Sequence, residues 1–171
     1  MGGDYNGGGV TDNALWQFSL LVYSQPRVHR LCQLLQDEYG ADVNLLLSAC
    51  WLAKRGIVWT PQQVADMVAK SREFRENYLF EARALRRKLK HSAPPSVYQE
   101  AQRFEMAVER WQQDEIYDYW LKASAAPKKQ SFSLCAQTNL HRYFDQLELA
   151  WNGQMSELVE AVAATPPAEG D

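Results

Sequence analysis

The stretch Leu34-Leu35-Gln36-Asp37-Glu38-Tyr39-Gly40-Ala41-Asp42-Val43-Asn44-Leu45-Leu46-Leu47-Ser48-Ala49-Cys50-Trp51-Leu52-Ala53-Lys54-Arg55-Gly56-Ile57-Val58-Trp59 decides how this chain folds. Gly40 ends one helix, as the residue most easily placed in a left-handed C-terminal turn. Asp42 is positioned to cap the next. From Val43 to Ala53 apolar residues go nearly all the way round, and a helix without a wet face is a central one. Lys54 and Arg55 suit its C-terminal dipole, and Gly56 closes it.

Working outward, Asp12 or Asn13 can cap a first helix through Trp16, Phe18, Leu20, Leu21 and Tyr23. Pro26 stops that helix and opens a second, where Val28, Leu31, Cys32, Leu34 and Leu35 follow the helical period. Thr60-Pro61-Gln62-Gln63 is a capping box with proline at the first helical position. The fourth helix it opens can run about 30 residues, to Lys90. Val64, Val68, Ser71, Arg75, Tyr78, Ala82, Leu85 and Leu89 give it a 4-3-4-3 packing seam. Ala93-Pro94-Pro95 breaks it, and Ser96 to Gln99 reads as a second capping box. The fifth helix then reaches Trp120 or Leu121, with a seam of Ala101, Phe104, Val108 and Trp111.

Residues 125–130 read as a loop. Ser131 or Ser133 starts a sixth helix carrying Leu140, Tyr143, Phe144, Leu147 and Trp151, with Gly153 as its end. Met155 to Ala163 forms a short last helix. There is no sustained strand alternation and no repeat.

Charge supports a long hairpin. Arg83, Arg86, Arg87, Lys88 and Lys90 are basic with no acidic residue among them, whereas Tyr98 to Leu121 holds six acidic residues and two basic. Folding back at Pro94 pairs Glu100 with Arg86 and Arg87, Arg110 with Glu76, Asp114 with Arg72 and Asp118 with Lys70. Such pairs set register more than stability, since exposed ones are worth about 0–1 kcal/mol each.

The expectation is an all-α, single-domain bundle of six or seven helices. The third helix is central, and helices four and five form a long antiparallel hairpin. Residues 1–11 are read as a flexible segment, 12–163 as the helical domain and 164–171 as a disordered tail. A chain of 171 residues buries an adequate core without staples. Cys32, Cys50 and Cys135 are widely spaced within apolar helical patterns, which fits buried free thiols in a reducing cytosol. No C-x-x-C pair exists and His29, His91 and His141 are scattered, so no metal site or other cofactor is expected. The start lacks a signal peptide's basic and apolar regions, and the longest apolar run is too short to span a bilayer. These readings place the chain in the cytoplasm, with no membrane span. A net charge of −3 and no aromatics interleaved with the basic patch argue against nucleic acid as a partner.

Leu15-Trp16-Gln17-Phe18, Leu34-Leu35-Gln36-Asp37, Gly40-x-Asp42-Val43-Asn44-Leu45-Leu46-Leu47, Cys50-Trp51-Leu52-Ala53 and Leu85-Arg86-Arg87-x-Leu89-Lys90 together carry a resemblance. The chain resembles a family of short proteobacterial proteins known only as a domain of unknown function. The resemblance covers about residues 14–150 and is most specific over 31–59. It implies a helical, cytoplasmic protein, and no activity, cofactor or catalytic residue.

Four groups are candidates for chemistry. Gln36, Asp37, Glu38, Asp42 and Asn44 surround the Gly40 turn. Capping accounts for Asp42 but not for Asn44, which lies just inside an apolar helix and needs partners if buried. Arg83, Arg86, Arg87 and Lys90 share one helical face and can hold phosphate or an acidic partner, or simply pair with helix five. Asp114 and Asp118, at i and i+4, have the spacing that holds Mg²⁺ on a diphosphate, although a wet acidic face explains them as well. The aromatic set, including Trp16, Tyr23, Trp51, Trp59, Trp111 and Trp120, can line a pocket or fill the core.

Nucleophilic catalysis has no support. The leading expectation is a non-enzymatic interaction or regulatory protein with an unknown protein partner, self-association being a further possibility. The alternative is a site for a phosphorylated or apolar small molecule between the third helix and the hairpin. Its residues are Gln36, Asp37, Asn44, Arg83, Arg86 and Arg87, and it requires them to converge on one cavity.

Overall fold

A computed structural model describes residues 13–123 and 126–166. Asp12, residues 1–11 (read from sequence as a flexible segment) and most of residues 164–171 (read as a disordered tail) lie outside the described residues. The described chain is all-helical: α1 (Ala14–Tyr23), α2 (Pro26–Tyr39), α3 (Val43–Lys54), α4 (Pro61–Phe74), a π-helical turn (Arg75–Leu79), α5 (Phe80–Leu89), α6 (Pro95–Lys122), α7 (Phe132–Gln146) and α8 (Gly153–Ala163). The π turn joins α4 to α5 without a break, so the bundle has seven helical rods among the described residues.

The helix α3 is the axis. Asn44 through Ala53 are all buried, and α3 packs against α7 most extensively and against α1, α2, α4 and α6. Gly40 (φ 68°) and Gly56 (φ 68°) bracket it in left-handed conformation. Gly56 is doubly required, because a Cβ there would meet the Lys128 carbonyl oxygen at 2.9 Å. Trp59, fully buried, is held at the end of this stretch. Its backbone N–H donates to Asn139 Oδ1 (3.0 Å) and its indole N–H to the Asn139 carbonyl (2.8 Å). Asn139 Nδ2 donates in turn to the carbonyls of Ala49 and Ile57, each at 3.0 Å. One buried asparagine thus ties α7 both to α3 and to the connection that leads to α4.

Two expectations about element ends and one about a packing seam are corrected. Ser96 does not cap α6. The helix starts at Pro95 after Pro94, with no side-chain cap, because the cap position is held by Pro94, whose ring offers no acceptor. Gly153 opens α8 rather than closing α7. Asn152 caps it through bonds to the N–H groups of Gln154 and Met155, while α7 already stops at Gln146. The even seam of the fourth rod is also broken. Val64, Met67 and Ser71 face inward in α4, but then Phe74 is followed by Leu79 and Ala82. The step of five is the π turn, which inserts one residue and rotates the faces of α5 relative to those of α4. Tyr78 and Leu85, inward by simple period, are 45% and 46% exposed.

The charged pairs of the hairpin shift by about one turn relative to a fold-back at Pro94. Arg86 pairs with Glu105, and Arg83 with Glu105 (3.6 Å) and Glu109 (3.1 Å). Glu100 pairs instead within its own helix, with Arg103.

Candidate functional site

The residues around the Gly40 turn and the arginine face of α5 meet across one cavity of about 390 Å³. Its lining includes all six of Gln36, Asp37, Asn44, Arg83, Arg86 and Arg87. The Gly40 turn sets Asn44 just inside α3, pointing toward α6. The π turn sets which face of α5 looks back at α2. Trp16 and Leu20 from α1, Leu47 from α3 and Met106 from α6 supply the apolar wall.

Beneath the cavity lies a buried polar chain. Asp42 caps α3, its Oδ1 accepting from the Asn44 N–H at 2.9 Å. Its Oδ2 accepts from the Ser71 hydroxyl and from Gln112 Nε2 (2.7 Å). Asn44 Nδ2 donates to Gln112 Oε1 (2.7 Å) and to the Glu109 carbonyl (3.4 Å), and Asn44 Oδ1 accepts from Gln113 Nε2 (2.9 Å). Asp42 also donates its backbone N–H to the Tyr143 hydroxyl (2.7 Å), whose pKa burial pushes up. Asn44 is therefore the crossing point between α3 and α6, while the Gln36 side chain makes no hydrogen bond to the described residues.

Two atoms break the pattern. Ser19 Oγ and Gln113 Oε1 are buried and have no hydrogen-bond partner among the described residues, and both residues line the cavity. A buried polar atom without a partner costs about 1–3 kcal/mol. The arginine side is better satisfied. Arg83 and Arg86 are neutralised by Glu105 and Glu109, leaving Arg87 exposed at the rim. Burial raises the Glu109 pKa above the ordinary carboxylate value, and Arg83 only partly offsets this. Burial likewise pushes the Tyr23 phenol up to about 12.

The other candidates separate. Asp114 accepts from Asn13 Nδ2 (2.8 Å), holding the start of α1, while Asp118 lines a different cavity together with Lys70 and Lys122. Most of the aromatic set serves the core: Trp59 packs against Trp120 (5.8 Å) and Tyr143 (6.5 Å), and Trp51 against Tyr117 (5.6 Å). Trp16 and Tyr23 are the rings that line the cavity. Sequence reasoning missed Ser19, Gln112, Gln113 and Glu109. The adjacent glutamines, set between Val108 and Ile116 on the buried side of α6, were the available signal.

Fold and site together define an all-α helical bundle with a ligand-sized, mixed polar and apolar cavity beside its central helix. Residues 14–116 match a family described as a protein of unknown function (DUF2390), and the chain belongs to that family. Neither a curated protein nor a solved structure matches it. No helix among the described residues is long and apolar enough to cross a membrane.

Proposed function

We propose that this protein binds a small molecule in the cavity between α1, α2, α3, α5 and α6. One observation carries the reading. The polar turn and the arginine face, far apart in sequence, converge on a cavity two of whose lining residues, Ser19 and Gln113, carry buried polar atoms without partners among the described residues. Such atoms are few in a packed core and each calls for an explanation, which a ligand beside them supplies. The size lies within the range of about 300–1,000 Å³ usual for ligand sites. Screening a fragment library by amide NMR tests it. Hits should move the signals of Ser19, Asn44 and Met106 together; hits scattered over the surface, or none at these residues, would overturn it.

A protein-contact surface is the second reading, favoured by the outer face of the hairpin. There Tyr78, Leu85, Phe104 and Trp111, all exposed, line an apolar groove of about 590 Å³. A groove between two antiparallel helices suits an amphipathic helix of a partner protein. The test is recovery of one stoichiometric partner by the native chain and its loss with Trp111→Glu; equal recovery by both chains would remove this reading.

A further inference from the structure

We infer that the cavity takes a primary amine carried on an apolar body, an inference that rests on the cavity being a ligand site. The polar chain beneath it runs in one direction only. The Asp42 carboxylate accepts hydrogen bonds and donates none, so it fixes the amide of Gln112 with the nitrogen toward itself, at 2.7 Å. Gln112 must then turn its oxygen to Asn44, whose Nδ2 donates to it at 2.7 Å. Asn44 in turn presents its own oxygen to Gln113 Nε2, at 2.9 Å. Each amide inherits its orientation from the one before. The chain ends on Gln113 Oε1, an acceptor with no donor among the described residues, in a residue that lines the cavity. The last torsion of a glutamine is soft, so Gln113 is the member of the chain that can adjust to a donor placed in the cavity.

The neighbouring groups agree on the sign. Glu109 engages Arg83 through Oε1 alone. Ser19 Oγ, the other unpartnered atom, can accept as well as donate. Arg83 and Arg86 are already held by Glu105 and Glu109, so they offer no free charge to a phosphate or carboxylate. An anion could reach Arg87 only at the exposed rim, and deeper in the cavity it would face Gln113 and Glu109 with no donor of its own to give them. An ammonium group has three donors to share among such acceptors. The apolar body would lie along Trp16, Leu20, Leu47 and Met106.

Titration calorimetry at pH 7 with phenethylamine, 2-phenylethanol and 3-phenylpropionate separates the possibilities. The amine should bind about tenfold or more tightly than the alcohol, as a charge-assisted bond exceeds a neutral one, and the carboxylate should not bind. Gln113→Met should bring the amine down to the affinity of the alcohol. Ser19→Ala, which keeps the amide chain intact, should weaken the amine by a few-fold and serves if Gln113→Met does not fold. Thr138→Ala, on α7 and outside the cavity lining, should leave amine binding unchanged, whereas Arg87→Ala, which removes a cation from the rim, should not weaken it. Binding of the carboxylate at least as tight as that of the amine, mapped by NMR to Ser19 and Met106, would overturn the amine class and leave the cavity reading standing. Failure of all three compounds would overturn both. An amine preference that survives both Gln113→Met and Ser19→Ala would overturn the assignment of its partners.

Discussion

Asn44 shows what one polar residue inside an apolar helix can organise. It joins Gln112, Gln113 and the Glu109 carbonyl, so Asn44→Ala leaves several buried partners unmet. Urea unfolding should show a loss of about 2–3 kcal/mol. The cysteines are quiet by contrast. All three are buried and free, and burial pushes the Cys32 thiol up and that of Cys50 to about 12. At pH 8 a thiol reagent should modify them only as fast as the chain unfolds; rapid labelling of the native protein would contradict this. Glu109 has its folded pKa above its unfolded value, so the folded chain holds that proton more tightly. Its contribution to stability is present below the ordinary value of 4.5 and is lost as pH rises through the folded value. In Glu109→Gln this decrement should be missing from the pH dependence of urea unfolding.

The rod from Pro61 to Leu89 is where periodicity misleads. The caps at Thr60, Gly40 and Gly56 were legible because each is a local rule about backbone groups and φ. So was the centrality of α3, which comes from its composition alone. The π turn was not legible, since an inserted residue leaves the local helical pattern intact and is decided by what α6 offers in return. Leu79→Ala should therefore cost about 2–4 kcal/mol, and Leu85→Ala within about 0.5 kcal/mol. The reverse order in thermal or urea unfolding would mean that the rod is a regular helix. The same insertion helps explain why Arg83 and Arg86 meet Glu105 and Glu109 rather than Glu100.

Across the whole molecule, the main core gathers around α3, while Leu79, Ala82 and Val108 form a small separate cluster within the hairpin. The helix α5 packs chiefly on α6 and the π turn. Amide hydrogen exchange should accordingly be faster over Phe80 to Arg103 than over α3, and uniform protection would show the hairpin to be part of one cooperative core. This arrangement sets the arginine wall of the cavity on the less anchored arm and its polar floor on the rigid one. The sequence makes the convergence of Gln36, Asp37 and Asn44 with the α5 arginines legible only as a condition on the site, because charge and unexplained polarity are visible there. The floor was not visible, because Ser19 and the Gln112–Gln113 pair look like ordinary polar residues until a fold buries them. A crystal structure of the protein soaked with phenethylamine tests the central claim most directly. The account predicts the ammonium nitrogen within hydrogen-bond distance of Gln113 Oε1, with Asn44 still bridging Gln112 and Gln113. An empty cavity, or Gln113 Oε1 turned to a donor of the protein itself, would contradict it.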